Sequence, residues 1–234
     1  EGWWTEPDGQ GTNFTKGTTV FSDMTLYAKW TKNKGYTITY HFQNGIPDVV
    51  EFVMYEESSY SHRAHQPSTP IRNGYILSAW FLNEQCTGKP FDFYTDLQSD
   101  LDLYALWIKD EYEYGYDASN YYSFLEYSGA DSHVVVPEYI EHYAIPRIAD
   151  NCFTSNNKIE SITLGEAIQT ICDEAFSGCQ SLKVLKLHRL EPPFIRGYLN
   201  LFSGNDDIVI CVPPESIEKY KADSRWNLYT IESL

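Results

Sequence analysis

Slid against itself by 77 residues, the chain matches without a gap from Gly2 to Trp30. Trp3 falls on Trp80, Gly11 on Gly88, Phe14 on Phe91 and Thr18 on Thr95, and "SDMTLYAKW" (22–30) returns as "SDLDLYALW" (99–107). Large aromatic residues kept at a fixed offset argue for one packing unit used twice. A second, shorter period of 23 governs the other half. Ile145, Ile148 and Phe153 recur at Ile168, Ile171 and Phe176, and Ile159, Ile162 and Leu164 recur at Leu182, Leu185 and Leu187. A chain assembled from two kinds of copy directs the search for function to its surfaces.

The longer unit reads as strands. "GYTITYHF" (35–42) alternates β-branched or aromatic residues with others, and Asn44-Gly45 supplies a turn before "VVEFVMY" (49–55). "GYILSAWFL" (74–82) and "LDLYALW" (101–107) are two further strands. Between the pairs, Ser61–Ser68 is expected to form a short helix ended by Pro67 and Pro70. Trp3, Trp30, Trp80 and Trp107 recur at the repeat offset, so most are expected in the core. A strand near "GYILSAWF", a Cys86-bearing hairpin, "FDF" (91–93) and a closing "SDLDLYALW" resemble the Listeria–Bacteroides repeat, the B-repeat of internalin-type surface proteins. The resemblance implies a ubiquitin-like β-grasp fold arranged in tandem as a stalk. It covers 35–107 throughout, with Ala79 where the family usually has Gly, and 1–30 only in its second half. The chain is therefore expected to be truncated upstream.

After Trp107, "IKDEYEYGYDASN" (108–120) is acidic, tyrosine-rich and without clear period, and reads as a junction. The 23-residue period beyond it lies in the leucine-rich range. With "AFSGCQSL" at 175–182 it resembles the BspA-type leucine-rich repeat. "HVVVP" (133–137) reads as the opening strand and "DIVICVP" (207–213) as the closing one. "PPESIEKYKADSRW" (213–226) resembles that family's C-terminal end, a short amphipathic helix covering the last rung, so the chain end is expected to be natural. Each rung is expected to carry one strand and one return arc. Ile162, Leu164, Leu185 and Leu187 should point inward, and Ser161, Thr163, Val184 and Lys186 outward, with Val135, Val209 and Cys211 extending that outer face. It is the first binding surface to suspect. Such positions are also often merely solvated.

Chemistry is harder to find. The net charge is −16, evenly spread: residues 1–116 carry 8 Lys/Arg against 16 Asp/Glu, and 117–234 carry 9 against 17. An acidic surface without a basic stripe argues against nucleic acid and anionic membrane as partners. Apolar runs are too short to span a bilayer. The cysteines (Cys86, Cys152, Cys172, Cys179 and Cys211) form no C-x-x-C and read as buried thiols. "HRAH" (62–65) could set two imidazoles on one side of a helical turn, but no third ligand follows. Asp96, Asp100 and Asp102 suggest calcium, without the EF-hand pattern; Asp23 and Asp100 read more plainly as turn residues. No catalytic motif or cofactor-binding fingerprint is present. Tyr112, Tyr114, Tyr116, Tyr121 and Tyr122 either pack the domains together or form an exposed patch able to stack on sugars.

The expectation is a mixed, mainly β chain. It would hold a partial β-grasp repeat (1–30), a complete one (31–107), a junction (108–118) and a leucine-rich solenoid with a C-terminal cap (119–234). The two resemblances imply a non-catalytic surface or secreted protein of bacteria, without metal or cofactor. The repeats would serve as spacer. Val135, Ser161, Thr163, Val184, Lys186 and Val209 would face an extracellular protein partner, host or bacterial. The alternatives are a glycan-binding module and a structural scaffold.

Overall fold

The computed structural model describes residues 2–30, 34–54, 62–68, 71–197, 201–205 and 207–234. These divide into two compact units, one of Glu1–Thr39, Val49–Gln66 and Asp92–Leu101, the other of Tyr40–Asp48, Pro67–Phe91 and Asp102–Leu234.

In the first unit, β1 (Gly2–Trp4) is flanked by β2 (Asn13–Phe14) and β3 (Tyr27–Lys29) in an antiparallel sheet. The unit also holds the start of β4 (Gly35–His41) and all of β5 (Val49–Met54). Ile38, Val53, Ala64 and Leu97 are its buried apolar residues. The helix expected at 61–68 is absent over His62–Ser68, and Ser61 lies outside the described residues. Pro67 disfavours the helical conformation in the residue before it. The polar groups find partners elsewhere instead: the Leu97 amide donates to the His62 carbonyl (2.8 Å), and Arg63 pairs with Asp96 (3.4 Å). The two imidazoles of "HRAH" therefore share no helical turn.

The second unit begins with the end of β4, followed by β6 (Tyr75–Phe81) and β7 (Leu101–Lys109), which pair antiparallel. Trp80 is fully buried here, with Tyr40 and Phe42 against it edge-on at 5.3 and 5.2 Å. Trp107 is half-buried and donates its indole N–H to the Phe42 carbonyl. Trp3 and Trp30 are 54% and 86% exposed, so only half of the repeated tryptophans are covered.

Residues 108–118 are ordered as the end of β7 and β8 (Tyr112–Tyr116), which pairs antiparallel with β9 (Tyr122–Tyr127). Tyr112, Tyr114 and Tyr116 do alternate with Glu113 and Gly115. The acidic and glycine positions masked that period of two.

Beyond the hairpin the chain coils as a two-sheeted solenoid. One sheet is fully parallel and runs β10 (His133–Val135), β14 (Ser161–Leu164), β16 (Val184–Leu187), β18 (Val209–Val212), β19 (Thr230–Ser233). The hairpin of β11 (Tyr139–Ile140) and β12 (Tyr143–Ala144) projects beside it. The second sheet stacks β9, β13 (Arg147–Ile148), β15 (Thr170–Cys172) and β17 (Phe194–Arg196) in parallel, with β8 at its edge. The expected single return arc therefore carries a short strand of its own. Ile148, Ile171 and Ile195 line up on it through backbone pairing from rung to rung. The closing strand is β19, not β18. "TIES" is too short and polar to announce itself, and its place follows from register with β18.

Two internal ladders hold the rungs together. Tyr127, Phe153, Phe176 and Phe202 stack successively at 5.3, 5.5 and 5.4 Å, and Tyr229 closes the column at 5.2 Å. Beside them a polar side chain in each of three rungs reaches back to a carbonyl of the preceding turn. Asn156 donates to Gly129, the Cys179 thiol to Phe153, and Asn205 to Cys179. The Phe153 and Cys179 carbonyls also accept the backbone amides of Asn156 and Leu182, so the side chains add a second bond to each of these turns. Gly178 in "SGC" sits at φ +71°, a left-handed conformation that a side chain would strain.

The cap differs in detail from expectation. A single α-helix, α1 (Ile217–Ala222), follows a 3₁₀ turn at Pro214–Ser216 and stops short of Trp226. The Asp223 carboxylate accepts the amides of Arg225 and Trp226, turning the chain out of the helix. Tyr220 and Trp226 still fill the end of the core, donating to the carbonyls of Arg189 and Pro193.

Candidate functional site

Along each strand of the five-stranded parallel sheet, alternation sends one residue in and the next out. Val134, Ile162, Leu185 and Ile210 are buried, as are Leu164, Leu187 and Val212. Parallel register then aligns the outward residues in two rows. One is His133, Ser161, Val184, Val209, Thr230; the other is Val135, Thr163, Lys186, Cys211, Glu232. All six positions expected on the binding face lie in these rows. The fifth strand adds Thr230 and Glu232, which the sequence reading missed.

The rows differ from the rest of the chain in charge. They hold one lysine and one glutamate, in a protein with 33 acidic and 17 basic residues. His133 hydrogen-bonds to Ser161 across the strands (2.9 Å). Partial burial and the neighbouring Glu232 push the Cys211 thiol above its ordinary pKa, with Lys186 opposing. The thiol is therefore a poor nucleophile.

Beside the second row, Val135 and Thr163 open onto a groove of about 570 Å³. Its opposite wall carries Phe81, Leu106 and the turn at Cys86–Gly88. That wall is held against the solenoid by the tip of the β11–β12 hairpin. The Glu141 and His142 amides donate to the Leu77 and Ser78 carbonyls (3.0 and 2.8 Å), and the Ser78 hydroxyl donates to Tyr139 (2.6 Å). A register shift in β6 between Leu77 and Ala79 places Ser78 there. No sequence signal marked this bulge.

The five tyrosines do not form one patch. Tyr112 is buried against Phe124 and Tyr127, and burial carries its phenol far above the usual range. Tyr114 and Tyr122 are partly buried and pack on the solenoid core, with Tyr116 edge-on to Tyr122 at 5.4 Å. Tyr121 is exposed, under the Arg147 guanidinium at 4.8 Å. Only Tyr116 and Tyr121 remain open enough for a ligand. Asp96, Asp100 and Asp102 are tied respectively to Arg63, the Thr37 amide and His41. Among the described residues no three His, Cys, Asp or Glu side chains gather as a metal site would require. Nor, among the described residues, is any helix long and apolar enough to cross a membrane.

Comparison with known proteins divides the chain where its two periods change. The family model of the Listeria-Bacteroides repeat domain matches residues 1–29 and 36–106, and that of the BspA type leucine rich repeat region matches 142–224 in six copies. Two proteins of Evansella cellulosilytica are similar. One, named a membrane protein, is 34% identical over 104 residues, which is 44% of this chain and 15% of the relative. The other, named a Gly-rich membrane protein, is 31% identical over 122 residues, 50% of this chain and 13% of the relative. The chain thus spans about one seventh of either. Of solved structures, a leucine rich cell surface protein of Faecalibacterium prausnitzii aligns with 53% of this chain and 29% of its own (20% identity, TM-score 0.32). A leucine-rich repeat protein of Bacteroides capillosus aligns with 53% of this chain and 95% of its own (16% identity, TM-score 0.34).

Proposed function

The chain joins Listeria–Bacteroides repeats to a BspA-type leucine-rich repeat region, and on that premise we propose that it is a non-catalytic binding protein of the bacterial surface or secreted fraction. The 77-residue units act as spacer. The outward face of the five-stranded sheet is the recognition surface, and its partner is an extracellular protein.

One observation carries this reading: two straight rows of small, β-branched and near-neutral side chains on an otherwise acidic molecule. Like charge at close approach costs specificity and on-rate, and this face sets no net charge against a protein with acidic patches of its own. The adjoining groove, with Phe81, Leu106 and Val135, gives a protruding apolar side chain a place to bury. The membrane-protein names of the two Evansella relatives support a place at the envelope.

The test is binding of the purified chain to immobilised extracellular-matrix proteins, with a Thr163→Arg, Lys186→Glu double variant beside it. Selective binding that the variant loses supports the sheet face as the site. Binding that survives moves the site elsewhere. An intact fold with no binding to any of the proteins leaves a scaffold.

A further inference from the structure

The second sheet has an outward side too, and its character is opposite. A cleft of about 680 Å³ lies across β9, β13, β15 and β17, lined by Tyr121, Arg147, Phe194, Arg196 and Arg225, with Gln169 and Thr170 between them. Three of the chain's six arginines meet here, and no lysine or carboxylate lines the cleft among the described residues. Arg147 is spoken for: its Nε lies 2.7 Å from Asp117 in a nearly buried ion pair. The other two carry the surplus charge. Arg196 gives one Nη1 hydrogen bond to the Ser119 hydroxyl (2.8 Å). Arg225, held in place by the Asp223 turn, stacks on Phe194 at 4.8 Å, and its buried Nη1 makes no hydrogen bond among the described residues. A guanidinium N–H that is withdrawn from water and left unpaired is costly unless something else accepts it.

We propose that this cleft binds an acidic saccharide unit, its carboxylate or sulfate taken by Arg225 and Arg196 and its ring resting on Tyr121 or Phe194. Guanidinium forks match planar or tetrahedral oxyanions in two-point geometry. Tyr121 and Phe194 are 57% and 58% exposed, flat, and already oriented by the arginines stacked on them. Gln169 and Thr170 supply amide and hydroxyl partners of the kind ring hydroxyls need. An acidic peptide fits less well. The cleft runs across the strands, whose backbone groups are consumed in the Arg147–Thr170–Phe194 ladder, so an extended chain finds no edge to join.

The test is calorimetric titration with short ligands, because a polyanion would be repelled by the overall charge of −16. A uronate-containing disaccharide, its sulfated and neutral counterparts and a tetraglutamate peptide form the series. The expected result is binding of one or both acidic disaccharides, with the stronger identifying carboxylate or sulfate as the recognised anion. The neutral sugar should be at least tenfold weaker. Arg225→Gln and, independently, Arg196→Gln should each weaken binding at least tenfold, with melting temperature recorded for both. Arg225→Lys, which keeps the charge but not the fork, should recover only part. Failure of every acidic disaccharide to bind overturns the proposal, as does equal binding of the neutral one or binding that both glutamine variants retain. Tighter binding of tetraglutamate replaces the saccharide by an acidic peptide. None of these outcomes bears on the opposite sheet face, whose test uses different residues.

Discussion

Trp3 is the register partner of Ala28, and seventy-seven residues later Trp80 is that of Ala105. Gly2 faces Lys29 as Ala79 faces Leu106, and Trp4 faces Tyr27 as Phe81 faces Tyr104. The pairing is conserved between copies while the burial is not. Trp80→Ala is therefore expected to cost about 3–5 kcal/mol, the range for emptying an aromatic site in a packed core. Trp3→Ala should cost under about 1 kcal/mol, as exposed positions do. Urea unfolding of both variants decides it; equal losses would mean that burial is not what separates the copies.

The aromatic column makes a prediction about the solenoid. Phe176 is completely buried between Phe153 and Phe202, so Phe176→Ala removes two ring contacts and leaves a void. A loss of about 3–5 kcal/mol is expected, and Phe176→Leu should recover more than half of it. Because each rung touches only its neighbours, hydrogen exchange should accelerate first in β14–β16. Acceleration confined to the cap would contradict this.

The polar ladder is cheaper per rung but less forgiving. The Asn205 side-chain N–H group donates to the carbonyls of Cys179 and Leu182, both inside the structure. Asn205→Ala takes this donor from the Leu182 carbonyl and leaves the Cys179 carbonyl with the Leu182 amide alone, and it is expected to cost about 1–3 kcal/mol. Asn205→Asp should be at least as damaging at neutral pH, since a carboxylate cannot donate to either. Thermal unfolding at pH 7 ranks them, and a neutral Asn205→Ala would mean that water replaces the amide.

Periodicity accounts for what was legible beforehand. Fixed offsets exposed both repeats, and strict alternation in "SITL" and "VLKL" sorted Ile162 and Leu185 inward from Thr163 and Lys186 outward. What escaped was whatever the periods do not encode. The aromatic column shifts from a spacing of 23 between Phe153 and Phe176 to 26 between Phe176 and Phe202, which hid the outer rungs. The cleft arginines stand at 147, 196 and 225, with no common interval, and meet only because stacking places β13 and β17 two strands apart in one sheet and the cap brings Arg225 back to Phe194. The Ser78 bulge is a register event between strands, visible to neither strand alone.

His41 at the end of β4 makes the stability of the fold depend on pH. Its Nδ1 lies 2.7 Å from Asp48 and its Nε2 2.9 Å from Asp102, while Tyr104 stacks on the ring at 4.5 Å. Burial alone would lower the pKa, but the hydrogen bonds to Asp102 and Asp48 and their charges outweigh it and raise the value above 6.5. Only the imidazolium donates from both nitrogens; the neutral ring must turn a lone pair toward one carboxylate. A raised folded-state pKa means that the stabilisation is fully present below the unfolded value of 6.5 and is lost as pH rises through the folded one. Melting temperature should fall over that window in the parent. Asp48→Asn and Asp102→Asn should each flatten the fall and lower the His41 pKa read from its ring proton resonances. The side chain is 25% exposed, so salt should weaken the effect without abolishing it. A His41 that titrates at or below 6.5 in the folded protein would rule out the double-carboxylate clamp as a source of stability.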